Sequence, residues 1–108
     1  MAAKTETGVN AVRAWALAEL RRIIFAALGD REAEVWLFGS CARGGVMQHS
    51  DIDVAILPRA ELPDEFFAEL AQTVEVSAIP YDVDLVDLRR AAPSLIDEVR
   101  REGIKWSD

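Results

Sequence analysis

The chain is poor in the residues that cross-link or ligate. A single cysteine, Cys41, in 108 residues excludes an internal disulfide and a cysteine-based zinc site, and it fits a reducing cytoplasm. The lone histidine, His49, makes no imidazole metal site and reads as a loop residue. No stretch approaches the ~20 apolar residues of a membrane span, and Met1-Ala2-Ala3-Lys4-Thr5-Glu6 lacks the apolar core of a signal peptide. Basic residues are scarce too. Twelve Lys and Arg against nineteen Asp and Glu leave a formal charge of −7, which a nucleic-acid backbone would repel. Repeats, low-complexity tracts and linkers are missing, so one domain is expected over residues 1–108, cytoplasmic, with no membrane and no direct nucleic-acid contact. What the chain has is apolar residues, 51% of the total. That is too many for a disordered segment and enough for one core.

Apolar spacing predicts the elements. Val9, Val12, Ala16, Leu20, Ile23, Ala27 and Leu28 recur every three or four residues, predicting a helix over 9–28 with Asn10 as its cap and Gly29-Asp30 as its stop. Val35-Trp36-Leu37-Phe38 reads as a buried strand that halts at Gly39-Ser40, and residues 41–50 read as a loop or single helical turn. Asp51 to Leu57 alternates as a strand before Pro58. A helix is predicted from Pro63 to about Val74, with Phe66, Phe67, Leu70 and Val74 inward. A third strand follows over Asp82–Val86, then a helix opened by Pro93 and ended by Gly103, with an edge strand over Ile104–Trp106. This order predicts an α/β (α+β) fold, a small mixed sheet flanked by helices. Trp15, Trp36 and Trp106 are expected in the core or at a subunit contact.

The acids carry the chemistry. Asp51 and Asp53 are two apart on a strand, so they share a face with Cα atoms ~7 Å apart. Two like charges ~4 Å apart repel by ~1 kcal/mol in water and ~4 kcal/mol at an effective dielectric of 20. A divalent cation removes that penalty, and magnesium takes carboxylate oxygens, waters and phosphates. The same alternation also fits a strand that merely exposes one face, although Asp is a poor strand former. Asp84, set among Val83, Leu85 and Val86, supplies a third acid if its strand neighbours the first pair, and three carboxylates describe a two-metal transfer site. Asp82 shares the face of Asp84, and spacing leaves the two as rivals. Asp87 reads as a loop or cap residue. Gly39-Ser40 at a strand end can present N–H groups and a hydroxyl to phosphate, with Arg43 able to pair with phosphate oxygens. Tyr81 is a candidate for stacking on a base.

Leu37-Phe38-Gly39-Ser40-Cys41-Ala42-Arg43-Gly44, followed by Ser50-Asp51-Ile52-Asp53-Val54-Ala55-Ile56, resembles the signature of the polymerase-β-type nucleotidyltransferase superfamily. The short chain and Asp82-Val83-Asp84-Leu85-Val86-Asp87-Leu88 resemble its minimal nucleotidyltransferase branch, whose members are antitoxins paired with HEPN-domain toxins. The resemblance implies transfer of AMP from ATP to a tyrosine hydroxyl of the HEPN toxin. It implies two Mg²⁺ ions on Asp51, Asp53 and Asp84, and it selects Asp84 over Asp82. Gly39, Ser40, Arg43, Gly44 and Ser50 become the nucleotide-binding positions. Cys41 stands where the family commonly carries a basic residue, leaving Arg43 as the phosphate partner. The partner protein is expected to complete the site, in a homo- or hetero-oligomer.

Other readings of the same residues compete. The chain could neutralise its partner by binding alone. A haloacid-dehalogenase-like phosphatase would want Thr or Val where Ala55 stands and has no use for Gly39-Ser40. An RNA acceptor is disfavoured by the charge of −7, and a small-molecule acceptor by the want of a second domain.

Overall fold

The computed structural model describes residues 3–39 and 51–107. Its elements run α1 (Ala3–Leu28), β1 (Ala33–Phe38), β2 (Asp51–Pro58), α2 (Phe66–Glu75), β3 (Asp82–Asp87), a short 3-10 turn (Leu88–Arg90), α3 (Pro93–Glu102) and β4 (Ile104–Lys105). The strands form one mixed sheet in the order β3-β2-β1-β4. Antiparallel pairs join β1 to β2 and to β4, while β2 and β3 run parallel. A parallel pair needs a crossover, and α2 provides it.

Residue alternation divides the sheet into two faces. Val35, Leu37, Ile52, Val54 and Ile56 point to one side, where they meet Leu20, Ile24 and Leu28 of α1 and Phe66, Leu70 and Val74 of α2. The buried α2 residues are four apart, so one stripe of the helix faces the sheet. On the other side Ala55 packs with Leu88 and Val99, bordered by half-buried Trp36, Phe38, Leu57, Val86, Leu95 and Ile96. Asp53 and Asp84, on β2 and β3, lie on this second face, beyond the apolar residues under α3.

Two helix starts and one tryptophan differ from the expectation. Helix α1 begins at Ala3, which places Asn10 inside the helix rather than at its cap. Apolar periodicity marks where a helix packs, and nothing between Ala3 and Asn10 breaks it, proline above all. Helix α2 begins at Phe66, because the Phe66 amide donates to the Pro63 carbonyl (3.0 Å) and closes a turn first. Trp15 is 46% exposed, so it is not a core residue, unlike half-buried Trp36 and Trp106. Gly29 does end α1, at φ +60°, with its amide on the Phe25 carbonyl. Pro93 opens α3 at its first turn, and Arg100 and Arg101 occupy its last, where cations suit the helix dipole.

One buried charge lies between the layers. Glu34 is 7% exposed and accepts from Arg59 (2.7 Å), Arg100 (3.3 Å) and the Trp36 indole N–H (3.3 Å). It therefore ties β1 to α3 and to the residue just beyond β2. The Arg59 hydrogen bond outweighs burial, and with help from Arg100 and Trp36 holds the Glu34 carboxyl below its ordinary range. A depressed carboxyl contributes stability above the unfolded value of roughly 4.3 and loses it as pH falls through the lower folded value. Glu34→Gln should accordingly cost about 1.5–3 kcal/mol at pH 7. Urea midpoints compared between pH 7 and pH 3 should show a smaller acid loss in the variant than in the parent chain.

Candidate active site

The parallel register of β2 and β3 builds the site. Asp51 pairs with Asp82 and Asp53 with Asp84. Across the antiparallel β1–β2 pair, Phe38 is the partner of Asp53. In-register residues share a sheet face, so Phe38, Asp53 and Asp84 form one row across three strands, with neighbouring strands ~4.7–4.9 Å apart. The next row, Trp36, Ala55 and Val86, carries the apolar residues under α3. Asp53 is half-buried between β1 and β3, whereas Asp82 and Asp84 are exposed on β3.

Gly39 closes the row from the β1 side. It has φ +78°, a left-handed conformation that side chains resist, and a Cβ there would press on Oδ2 of Asp53 and lie 3.3 Å from its Cγ. Glycine is therefore required twice at this position. The backbone turns sharply after Phe38, and it passes directly beside the carboxylate.

Asp87 follows the sequence expectation of a cap. Its carboxylate accepts from the Arg89 backbone amide (3.0 Å) and from the Arg89 guanidinium (2.8 Å). The Arg89 side chain holds the Asp87 carboxyl below its ordinary range against the effect of burial. The guanidinium also lies over the Phe67 ring, 5.9 Å from its centroid. Asp87 is thus bound into the junction of β3 with α2. Among the described residues, no ion pair involves Asp82 or Asp84.

Of the expected site residues, the structure brings Gly39, Asp53 and Asp84 together. Asp51 enters through its backbone register alone. Ser40, Arg43, Gly44 and Ser50 lie outside the described residues, as do Cys41 and His49. Among the described residues no three acidic, thiol or imidazole side chains close on one point. The donor set nevertheless suits a hard cation. Adjacent carboxylates in one row, one of them against a glycine turn, supply the oxygen ligands that magnesium takes.

Sequence spacing missed two features. Phe38 belongs to the acid row, and only the β1–β2 register reveals it. A recess of about 370 Å³ lies beside the start of β3, lined by Val74, Glu75, Ile79, Tyr81, Asp82 and Val83 among others. Tyr81 was legible as a candidate for stacking, but its partners come from α2, which no local pattern could show.

Comparison with known proteins covers the segment that holds these residues. The family described as Polymerase beta, Nucleotidyltransferase matches residues 30–105. Protein adenylyltransferase MntA of Shewanella oneidensis is 44% identical over 69 residues, which cover 64% of this chain and 49% of that protein. The chain spans about half the length of the curated relatives it matches. Among solved structures, a toxin–antitoxin with AMP-PNP is similar at a TM-score of 0.63 and 36% identity, covering 82% of this chain and 73% of that one. A tri-AMPylated Shewanella oneidensis HEPN toxin in complex with MNT antitoxin is similar at a TM-score of 0.64 and 30% identity, with 87% and 71% covered.

Gly39→Ala tests the close approach. The left-handed backbone costs an alanine roughly 1–2 kcal/mol, and the displaced carboxylate adds to it. A fall in the urea midpoint of at least that size is expected, with Asp53→Ala restoring part of it in the double variant. Full additivity of the two substitutions would show that residues 39 and 53 do not touch.

Proposed function

Because the chain belongs to the Polymerase beta nucleotidyltransferase family, we propose that it transfers AMP from ATP to a tyrosine hydroxyl of a HEPN-domain toxin and so acts as the antitoxin of that pair. The observation that carries this reading is the row of Asp53 and Asp84 beside the Gly39 turn. A two-carboxylate row on adjacent strands is electrostatically costly on its own, and it becomes favourable with cations and a triphosphate above it. The relatives' names and the AMP-PNP in one similar structure support ATP as donor and a protein as acceptor.

Each residue then has a task. Asp51 and Asp53 would hold two Mg²⁺ ions, with Asp84 sharing one of them. Bound there, magnesium supplies Lewis-acid polarisation of the α-phosphoryl group and offsets the charge of the triphosphate. The Gly39 turn and Ser40 offer N–H and hydroxyl donors to the phosphates, with Arg43, Gly44 and Ser50 completing the nucleotide contacts. Asp84 stands on the solvent-facing side of the row, where an incoming hydroxyl would arrive. It accepts the hydroxyl proton as the oxygen forms its bond to the α-phosphorus. The bond from that phosphorus to the bridging oxygen breaks, and pyrophosphate leaves. Asp53, lower in the row and against the backbone, keeps its position throughout. The deeper acid thus serves binding and the exposed one serves the acceptor.

Asp84→Asn separates function from stability. Removing one of two adjacent like charges should leave the melting temperature unchanged or slightly raised, since exposed substitutions usually fall within about ±0.5 kcal/mol. Transfer should fall by about a hundredfold, equivalent to roughly 2.7 kcal/mol in the barrier. The measurement is intact mass of the toxin after incubation with ATP and Mg²⁺, with chelator as the blank. A toxin that gains no AMP from the parent chain, yet is silenced by it, would establish neutralisation by binding alone.

A further inference from the structure

The recess beside the start of β3 has the size and lining of a small-molecule site. Its volume of about 370 Å³ falls within the ~300–1,000 Å³ usual for ligand pockets. Val74, Ile79 and Val83 give it apolar walls, and Tyr81 adds an aromatic ring. That ring is half-buried and packs against the core that the sheet shares with α2. Two exposed carboxylates, Glu75 and Asp82, complete the lining.

Asp82 joins the recess to the acid row. It lines the recess and pairs in register with Asp51, while Asp84 lies two positions further along the same strand. The step from Asp82 to Asp84 is therefore ~7 Å along β3, a gap that one pentose bridges.

We propose that this recess is the base subsite of the nucleotide donor, taking a base with an exocyclic amine that stacks on Tyr81 and is read by Glu75; this rests on the adenylyltransferase reading above. The lining selects such a ligand. A planar base buries its faces against apolar walls and an aromatic ring. The exocyclic amine of adenine donates hydrogen bonds, and an ionised carboxylate only accepts them. Hypoxanthine carries a carbonyl in place of that amine and would set one acceptor against another. An anionic ligand would be repelled by both Glu75 and Asp82. The placement also suits the reaction. The triphosphate runs from the row of Asp53 and Asp84 toward the Gly39 turn, and the acceptor hydroxyl enters at Asp84, opposite the departing pyrophosphate. The sugar then leaves the α-phosphorus sideways, past Asp82 toward the start of β3. Base binding fixes the α-phosphorus and leaves the acceptor's approach clear.

The test measures binding of the Mg²⁺ complexes of ATP, ITP and tripolyphosphate to the full chain by calorimetry, with no toxin present. ATP should bind tightest, because tripolyphosphate leaves the recess empty and ITP opposes Glu75. Tyr81→Ala should weaken ATP binding roughly tenfold, the scale of a lost base–aromatic stack, and leave tripolyphosphate unchanged. Tyr81→Phe keeps the ring and should bind ATP as the parent does. Ala71→Trp, at an exposed position of α2 that lines the recess, should block ATP with tripolyphosphate again unchanged, a check that needs no alteration of Tyr81. Glu75→Gln should narrow the preference for ATP over ITP. Hydrogen exchange over residues 79–83 should slow with ATP and not with tripolyphosphate. ATP bound no more tightly than tripolyphosphate would overturn the proposal, and so would parental ATP affinity in Ala71→Trp. AMP transfer to a toxin by Ala71→Trp at the parental KM for ATP would sink the base subsite alone. Recess-dependent ATP binding without transfer to any toxin would sink the enzymatic reading alone.

Discussion

Everything at the site depends on the parallel pairing of β2 with β3, which sets Asp53 beside Asp84 and Asp51 beside Asp82. Electrostatics opposes that register. Neighbouring carboxylates near 4 Å repel by ~1 kcal/mol in water and by ~4 kcal/mol at an effective dielectric of 20. What fixes it is the other face of β2, where Ile52, Val54 and Ile56 are fully buried. Each such side chain contributes ~1.5–3 kcal/mol on burial, so three of them outweigh the repulsion. A slip of one residue would turn these three outward and the acids into the core. The register is held by the core, and the acids are carried along with it.

Charge is handled differently at the two ends of the sheet. At the far end of β2, Glu34 is buried and satisfied by Arg59, Arg100 and Trp36. At the end of β3, Asp87 is held by Arg89. These acids are structural, and each has its cation within the fold. The row at Asp53 and Asp84 has a glycine backbone on one side and an exposed strand on the other.

Much of this was legible in the sequence, for identifiable reasons. Strands β2 and β3 and helix α3 carry strong local signals: alternation in Asp51–Leu57, a short apolar run broken by acids in Asp82–Val86, and proline and glycine bracketing Pro93–Gly103. The site was legible to the extent that it depends on spacing within one strand, as with Asp51 and Asp53. Choosing Asp84 over Asp82 was not a matter of spacing, since both lie on one face of β3 and each pairs with one of the β2 acids; the choice came from the family resemblance. Long-range features left no local trace. Phe38 joins the acid row through β1–β2 register, and Glu34 finds Arg100 across 66 positions of sequence. The start of α1 was illegible for the opposite reason, because its first turns extend beyond the periodic stripe.

The placement of the two acids on different kinds of strand has a chemical consequence. Asp53 stands on an interior strand, flanked by β1 and β3, and its surroundings are set by the fold. Among the described residues Asp84 stands on the end strand of the sheet, which pairs with β2 alone. An interior carboxylate is suited to a ligand whose position must not vary, such as an ion on a triphosphate. The proposed role of Asp84 as proton acceptor fits its exposure on the end strand.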